Sequence, residues 1–156
     1  MRGAGGWLFD RAAAGWDATA LVVRRGDERA LRILGAHAAD LAAAPVASAP
    51  GPGRLAVAVE AGLYATDERV RHLVARTRES GLADIRFWGA TTTTDLGDGG
   101  GPAHHRLSVA ARAFKRRALD AVAPGASEPV GAEEFFRRGG ALRADQGPAA
   151  VARSVR

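Results

Sequence analysis

The chain has 156 residues, a length typical of one domain, and contains no cysteine. The missing thiols exclude disulfides, thiolate nucleophiles, Fe–S clusters and cysteine-based zinc sites. Hydrophobic residues make up 47% and charged residues 25%, which are ordinary globular values, and the net charge is +5. The first ten residues carry no secretory pattern. The longest weakly polar run, Ala12–Val23, is shorter than the ~20 residues of a membrane helix, so a soluble, cytoplasmic protein is expected.

The N-terminal part of the chain contains one predicted helix and two predicted strands. Trp7–Ala14 is a short helix that ends at Gly15, in the C-cap position. Thr19–Arg24 is rich in branched apolar residues and predicts a strand. Ala30–Leu34 alternates around an arginine and predicts a second strand. A turn at Gly26–Glu28 would join the two into an antiparallel hairpin.

The middle of the chain predicts a parallel βαβ unit. His37–Ala44 adds a helical turn or two, and the proline-rich Pro45–Gly53 is a loop. Arg54–Glu60 is a strand with larger apolar residues on one face and only alanines on the other. The large face holds Leu55, Val57 and Val59, and the small face holds Ala56 and Ala58.

The helix of this unit begins at an N-cap, Thr66, and ends near Ser80. Its apolar face consists of Val70, Leu73, Val74 and Thr77. The next strand is Asp84–Trp88. A strand, a helix and a strand within about 35 residues imply parallel pairing with a right-handed crossover.

A long helix follows the βαβ unit. The glycine- and threonine-rich segment Gly89–Ala103 predicts a loop, and His105–Val122 predicts a helix that Ala123–Gly125 ends. Apolar residues at helical spacing form a stripe that should face the sheet: Leu107, Ala111, Phe114, Ala118 and Val122. Ala132–Arg138 predicts two further helical turns, and Gly139–Arg156 predicts a mobile tail.

These elements predict an α/β fold with a small mixed sheet, which combines the antiparallel hairpin with the parallel βαβ unit. The two main helices, Thr66–Ser80 and His105–Val122, cover it. Residues 1–124 would form one domain, and residues 125–156 a C-terminal extension.

Surplus positive charge is concentrated in one nineteen-residue stretch, His104–Val122. It holds five basic residues, Arg106, Arg112, Lys115, Arg116 and Arg117, against one acid, Asp120. Residues 1–103 hold 12 basic and 12 acidic side chains and are neutral. Such a helix predicts contact with nucleic-acid phosphates or with an acidic protein face. The alternative, a merely solvated outer face, stays open.

The character of this stretch favours a protein partner. Phe114 falls on the predicted apolar stripe, so no exposed aromatic ring would interleave with the basic side chains. The few cations could meet only about four phosphates, which predicts weak nucleic-acid binding, although a homo-oligomer would double the patch. In the C-terminal segment, the paired Phe135 and Phe136 either anchor a partner or dock on the core of this chain.

A second hypothesis places a phosphate-containing ligand at the carboxyl edge of the sheet, in a small enzyme or sensor. There Thr91, Thr92, Thr93 and Thr94 supply hydroxyls, His104 and His105 supply donors at a helix start, and Glu60 supplies a carboxylate. The spacing matches neither of the glycine-rich phosphate-binding motifs.

No motif names a reaction, a cofactor or a metal site. A metal site could be drawn from His104 and His105 with Asp95 and Asp98, but adjacent histidines on a helix point about 100° apart, and the two aspartates do not have calcium-loop spacing. The favoured hypothesis is therefore a non-enzymatic binding or regulatory module that uses the cationic helix and the C-terminal segment.

Overall fold

The computed structural model describes residues 2–23, 28–42, 55–79, 83–89, 101–125, 132–137 and 152–155. Within these residues the chain forms five helices and seven strands. The helices are α1 (Gly5–Ala13), α2 (Arg29–Ile33), α3 (Ala61–Thr66), α4 (Glu68–Glu79) and α5 (Val109–Val122). The strands are β1 (Ala18–Val22), β2 (His37–Asp40), β3 (Leu55–Glu60), β4 (Ala83–Trp88), β5 (Gly101–Arg106), β6 (Ala132–Arg137) and β7 (Ala152–Val155).

The strands form one mixed sheet in the order β2-β1-β7-β3-β4-β6-β5. The five strands from β2 to β4 pair in parallel, whereas β6 runs antiparallel to both of its neighbours, β4 and β5. The predicted α/β class with a mixed sheet is therefore confirmed.

Strand β3 shows how the sheet separates two apolar layers. Ala56 and Ala58 face a cluster that includes Trp7 and Leu8 of α1. The opposite face of β3 packs on α4 through Val70, Leu73 and Val74. Thr77, the fourth residue of the predicted apolar face, is also buried. Because β3 and β4 pair in parallel with α4 between them, the predicted βαβ unit is confirmed.

Helix α4 begins at Glu68, one residue later than a helix capped by Thr66 would begin. The side chain of Asp67 accepts a hydrogen bond from the backbone N–H of Arg69 at 2.9 Å, and its carboxylate also pairs with the Arg69 guanidinium. Those bonds lower the pKa of Asp67 to about 2. Thr66 instead ends α3, where its hydroxyl donates to the carbonyl of Gly62. A separate short helix, α3, therefore precedes α4.

The predicted N-terminal hairpin is wrong. Residues 30–34 lie almost entirely in α2, where Ala30, Leu31 and Leu34 are buried at helical rather than alternating positions. Ala30 and Leu34 pack against Ala118 and Leu119 of α5. His37–Ala44, which was expected to form a helical turn or two, instead contains β2, and β2 pairs in parallel with β1. Both segments are short, so their tertiary partners decide between helix and strand. The predicted loop Pro45–Gly53 lies outside the described residues.

The C-terminal segments also differ from prediction. Residues 132–137 form β6 instead of two helical turns, because they pair on one side with β5 and on the other with β4. The segment expected to be a tail contains β7, which lies between β1 and β3. Two strands of the sheet therefore come from the part of the chain that follows α5.

Candidate protein-binding surface

Helix α5 begins later than predicted because the residues before it belong to the sheet. His104, His105 and Arg106 lie in β5, which pairs with β6 along its whole length. The helix starts after Ser108, whose hydroxyl accepts a hydrogen bond from the backbone N–H of Ala111 at 3.0 Å. Ser108 is thus the N-cap, and the predicted start at His105 is wrong.

The buried face of α5 is rotated from the predicted stripe. Its buried residues are Ala111, Lys115, Ala118 and Leu119, and they pack mainly toward α1 and α2 rather than toward the sheet. Two residues of the predicted stripe are instead largely exposed, Phe114 at 46% and Val122 at 48%. The buried face includes Lys115 and Leu119, which the predicted stripe lacks, and Phe114 therefore lies at its border.

Lys115 is 3% exposed, although the sequence places it among the surface contacts. Its ammonium group donates to Oε1 of Glu133 and to the backbone carbonyl of Arg2, both at 2.5 Å. The same carboxylate accepts the N–H groups of Gly6 and Trp7 in the first turn of α1, each at 2.8 Å. A carboxylate is favoured there by the unpaired N–H groups of the helix. Lys115 is therefore a buried cation that joins α5 to Glu133 of β6 and to the backbone of Arg2, and it is not part of the surface.

Three arginines remain exposed on α5 after Lys115 is removed from the count: Arg112, Arg116 and Arg117. With the exposed Asp120 they leave a net charge of +2 on the helix surface. At about 100° per residue, Arg112 and Arg116 lie on one border of the exposed face, and Arg117 lies toward the other. The cationic face is smaller than the sequence count implies, but it is held on a fixed helix.

An aromatic ring borders this face, contrary to the sequence expectation. Phe114 stacks on Phe9 of α1, with ring centroids 4.6 Å apart and an interplanar angle of 18°. Arg117 follows Phe114 by three residues, so the two side chains lie on the same side of the helix. Val109, the first residue of α5, is 76% exposed. We call the exposed set Val109, Arg112, Phe114, Arg116 and Arg117 the α5 surface.

A polar junction fixes the N-terminal end of α5 to α1. Asp10 of α1 accepts a hydrogen bond from the Ser108 hydroxyl at 2.6 Å, and its other oxygen lies 2.7 Å from Nε2 of His105. His105 therefore contacts α1 and is not a donor at the start of α5. The Asp10–Ser108 hydrogen bond and the Phe9–Phe114 stack are two separate contacts between α1 and α5, so the α5 surface has a defined orientation.

The other predicted contact residues are placed apart from this surface. Phe135 is 1% exposed and belongs to the core, where its ring lies 6.0 Å from that of Trp7. The side chain of Phe136 lies outside the described part of the molecule. Arg106 is exposed on β5.

The residues of the predicted anion site are only partly described. Thr91 to Thr94 lie outside the described residues. Glu60 is at the carboxyl end of β3, partly exposed and in register with Trp88. His104 is exposed on β5, where it opposes Glu134 of β6. The described residues contain no group of three or more histidine, aspartate or glutamate side chains that could hold a metal ion.

Sequence reasoning missed Phe9, Asp10 and Glu133, which orient α5. Their partners lie between 18 and 127 residues away along the chain, so no local pattern could indicate them.

Comparisons with known proteins add no relative: no family model, no curated protein and no solved structure matches this chain. None of the helices in the described ranges is long and apolar enough to cross a membrane.

Proposed function

We propose that the chain is a non-enzymatic binding or regulatory module of the cytoplasm, and that the α5 surface contacts an acidic protein partner. The observation that carries the proposal is the exposed, stacked ring of Phe114 on the same side of α5 as Arg117, with Arg112 and Arg116 exposed on the other border of the helix. Aromatic residues and arginine are the types enriched at the energetic centres of protein interfaces.

The rigidity of the surface supports this proposal. Phe114 is held by Phe9, and α5 is tied to α1 by Asp10 and Ser108. A side chain that is already fixed loses less conformational entropy when a partner binds, and this loss is about 0.5–1.5 kcal/mol for a mobile side chain. The surface can therefore bind with little reorganisation.

The charge pattern favours a protein over nucleic acid. Each phosphate charge that is neutralised needs a cation, and the α5 surface offers three arginines with the acidic Asp120 on the same helix. A protein partner can oppose both signs of charge, whereas a phosphate backbone meets only repulsion from an aspartate. Nucleic acid is therefore the less favoured partner.

A charge-reversal experiment tests the proposal. The native protein and the double variant Arg112→Glu/Arg116→Glu are used to capture partners from an extract of the source cells, with and without nuclease. The partners are then identified. We expect the native protein to retain an acidic protein in both arms, and the variant to lose it. Raising the salt from about 50 to about 200 mM should weaken the capture.

The matched control is Arg76→Glu/Arg78→Glu, which makes the same charge change at exposed positions of α4, on the other side of the sheet. Circular dichroism verifies that both variants fold. Equal capture by the native protein and the α5 variant would refute the proposal. Loss of binding only after nuclease treatment would point to nucleic acid instead.

The alternative, a small phosphate-ligand enzyme or sensor, rests mainly on Thr91 to Thr94, which lie outside the described residues. Saturable thermal stabilisation by a nucleotide or a sugar phosphate would support that alternative. If the melting temperature stays unchanged with every compound of a broad metabolite panel, the alternative is wrong.

A further inference from the structure

We infer that strand β6 has two registers in the sheet, one residue apart, and that the buried contacts of the strand are the same in both. A shift between them makes β6 a conformational switch that changes the residues on the exposed side of the sheet. This switch goes beyond the proposed function, because it leaves the α5 surface in place: Lys115 of α5 has a glutamate partner in either register.

The sequence of β6 repeats its residue types in pairs. From residue 133 onward it consists of three doublets, Glu133-Glu134, Phe135-Phe136 and Arg137-Arg138. Side chains alternate between the two faces of a sheet, so each doublet gives one member to each face. A slip by one residue ordinarily exchanges the buried set of a strand for its exposed set. In β6 the same slip replaces each inward residue of the doublets by one of the same type.

The first members of two doublets make the buried contacts of β6. Glu133 pairs with Lys115 and accepts the backbone N–H groups of Gly6 and Trp7. Phe135 is buried beside Trp7, with 6.0 Å between the two ring centroids. After a shift by one residue, the second members of these doublets bring a carboxylate and a phenyl ring to the same positions. The buried contacts therefore do not distinguish the two registers.

The exposed side of the sheet does distinguish them. Arg106 of β5 is exposed and opposes Ala132 of β6, which is also exposed. After the shift Glu133 takes the position opposite Arg106, so that opposite charges face each other across the two strands. The doublets thus keep the inner contacts constant while the shift changes what β6 presents on its outer face.

The contact with β4 favours the observed register. Among the described residues, one of the pairs that join β6 to β4 sets Phe136 beside the buried Phe87. After the shift Arg137 would take this position. An aromatic neighbour stabilises a buried ring, whereas a charged group loses hydration there. The observed register is therefore the ground state, and loss of the Glu133 carboxylate is a change that favours the other.

The connections on either side of β6 have the length for this shift. Residues 123–131 connect α5 to β6, and residues 138–151 connect β6 to β7. The shift adds one residue to the first connection and removes one from the second, which corresponds to about 3.4 Å of chain. Because this is a small part of either connection, α5 and β7 can stay in place.

Thermal unfolding of four variants tests the shift. Glu133→Ala removes the partner of Lys115 but leaves Glu134 to replace it, whereas the matched control Lys115→Met breaks the same pair without a replacement. We expect Glu133→Ala to lower the melting temperature less than half as far as Lys115→Met. Glu134→Ala alone should lower it by no more than about 2 °C. The double variant Glu133→Ala/Glu134→Ala should lower it at least as far as Lys115→Met. If the two single shifts simply add in the double variant, β6 has one register.

Engineered disulfides report the register directly, because the chain contains no cysteine of its own. Residues that oppose each other across antiparallel strands lie within disulfide distance. Arg106→Cys/Ala132→Cys should therefore cross-link in the observed register. Arg106→Cys/Glu133→Cys removes the Glu133 carboxylate and should cross-link after the shift, since in the observed register residue 133 opposes His105 on the other face.

Mild oxidation of the folded variants, followed by non-reducing peptide mapping, measures the yield of each cross-link. Both pairs should cross-link, and addition of Glu134→Ala to the second pair should lower its yield at least about fivefold, because no carboxylate then rewards the shift. If the first pair cross-links and the second does not, or if the second cross-links equally without Glu134, the doublets do not control a shift and the inference is wrong.

Discussion

Lys115 illustrates, at the scale of a residue, why a charge count from sequence overstates a surface. It is the single lysine of the chain and stands among arginines, so the count assigns it to the cationic face. In the structure its ammonium group forms an ion pair with Glu133 and donates a hydrogen bond to the Arg2 carbonyl. A compact ammonium can bond to both acceptors within a small buried space, whereas a planar guanidinium would need more room. The helical position of Lys115 alone could not reveal the carboxylate that neutralises it.

Replacement of Lys115 by methionine should destabilise the protein strongly. The substitution keeps a similar side-chain length but leaves the Glu133 carboxylate buried without its counterion. Breaking a buried pair in this way costs about 3–5 kcal/mol. Chemical denaturation measures the change in the free energy of unfolding. The control Arg116→Met, at an exposed position, should change it by no more than about 0.5 kcal/mol. A Lys115→Met protein as stable as the native one would show that the pair is not buried.

At the scale of elements, the predictions succeeded where one segment carries a long or clear pattern. The alternation of β3 and the spacing of α4 gave the right strand, the right helix and the right buried residues. For α2, β2 and β6 the local pattern was short, and pairing with distant segments decided the outcome. The sequence predicted the exposure of Arg112, Arg116 and Arg117 on α5, but it did not predict that of Phe114.

The N-terminal end of α5 offers a test of how firmly that helix is oriented. In Ser108→Ala the backbone N–H of Ala111 loses its acceptor and Asp10 loses a donor. Loss of an N-cap of this kind costs about 0.5–2 kcal/mol, and thermal unfolding followed by circular dichroism should detect it. The Ser108→Thr variant keeps a hydroxyl and should recover most of the stability. If alanine and threonine have the same effect, the cap contributes nothing to α5.

At the scale of the whole molecule, the centre of the sheet depends on the last described segment of the chain. Strand β7 separates β1 from β3 and pairs with each of them over four residues. Nothing in its own sequence indicates this position, since four residues with two polar side chains predict no core strand. The sheet therefore joins residues from both ends of the chain, so the two apolar layers on its faces depend on late as well as early segments.

Deletion of residues 151–156 should consequently destabilise the entire domain. The truncation leaves Ala18–Leu21 of β1 and Ala56–Val59 of β3 without the strand between them. Each buried backbone group that loses its partner costs about 1–3 kcal/mol, so several losses rival the about 5–15 kcal/mol that stabilise a typical domain. Circular dichroism and light scattering should show an unfolded or associated chain, and a peptide of residues 151–156 added in excess should restore the fold in part. A chain that lacks Arg156 alone is the control and should unfold like the native protein. If the longer truncation unfolds with the same free energy as the native protein, β7 is not a central strand, because removal of a central strand breaks its hydrogen bonds to both β1 and β3.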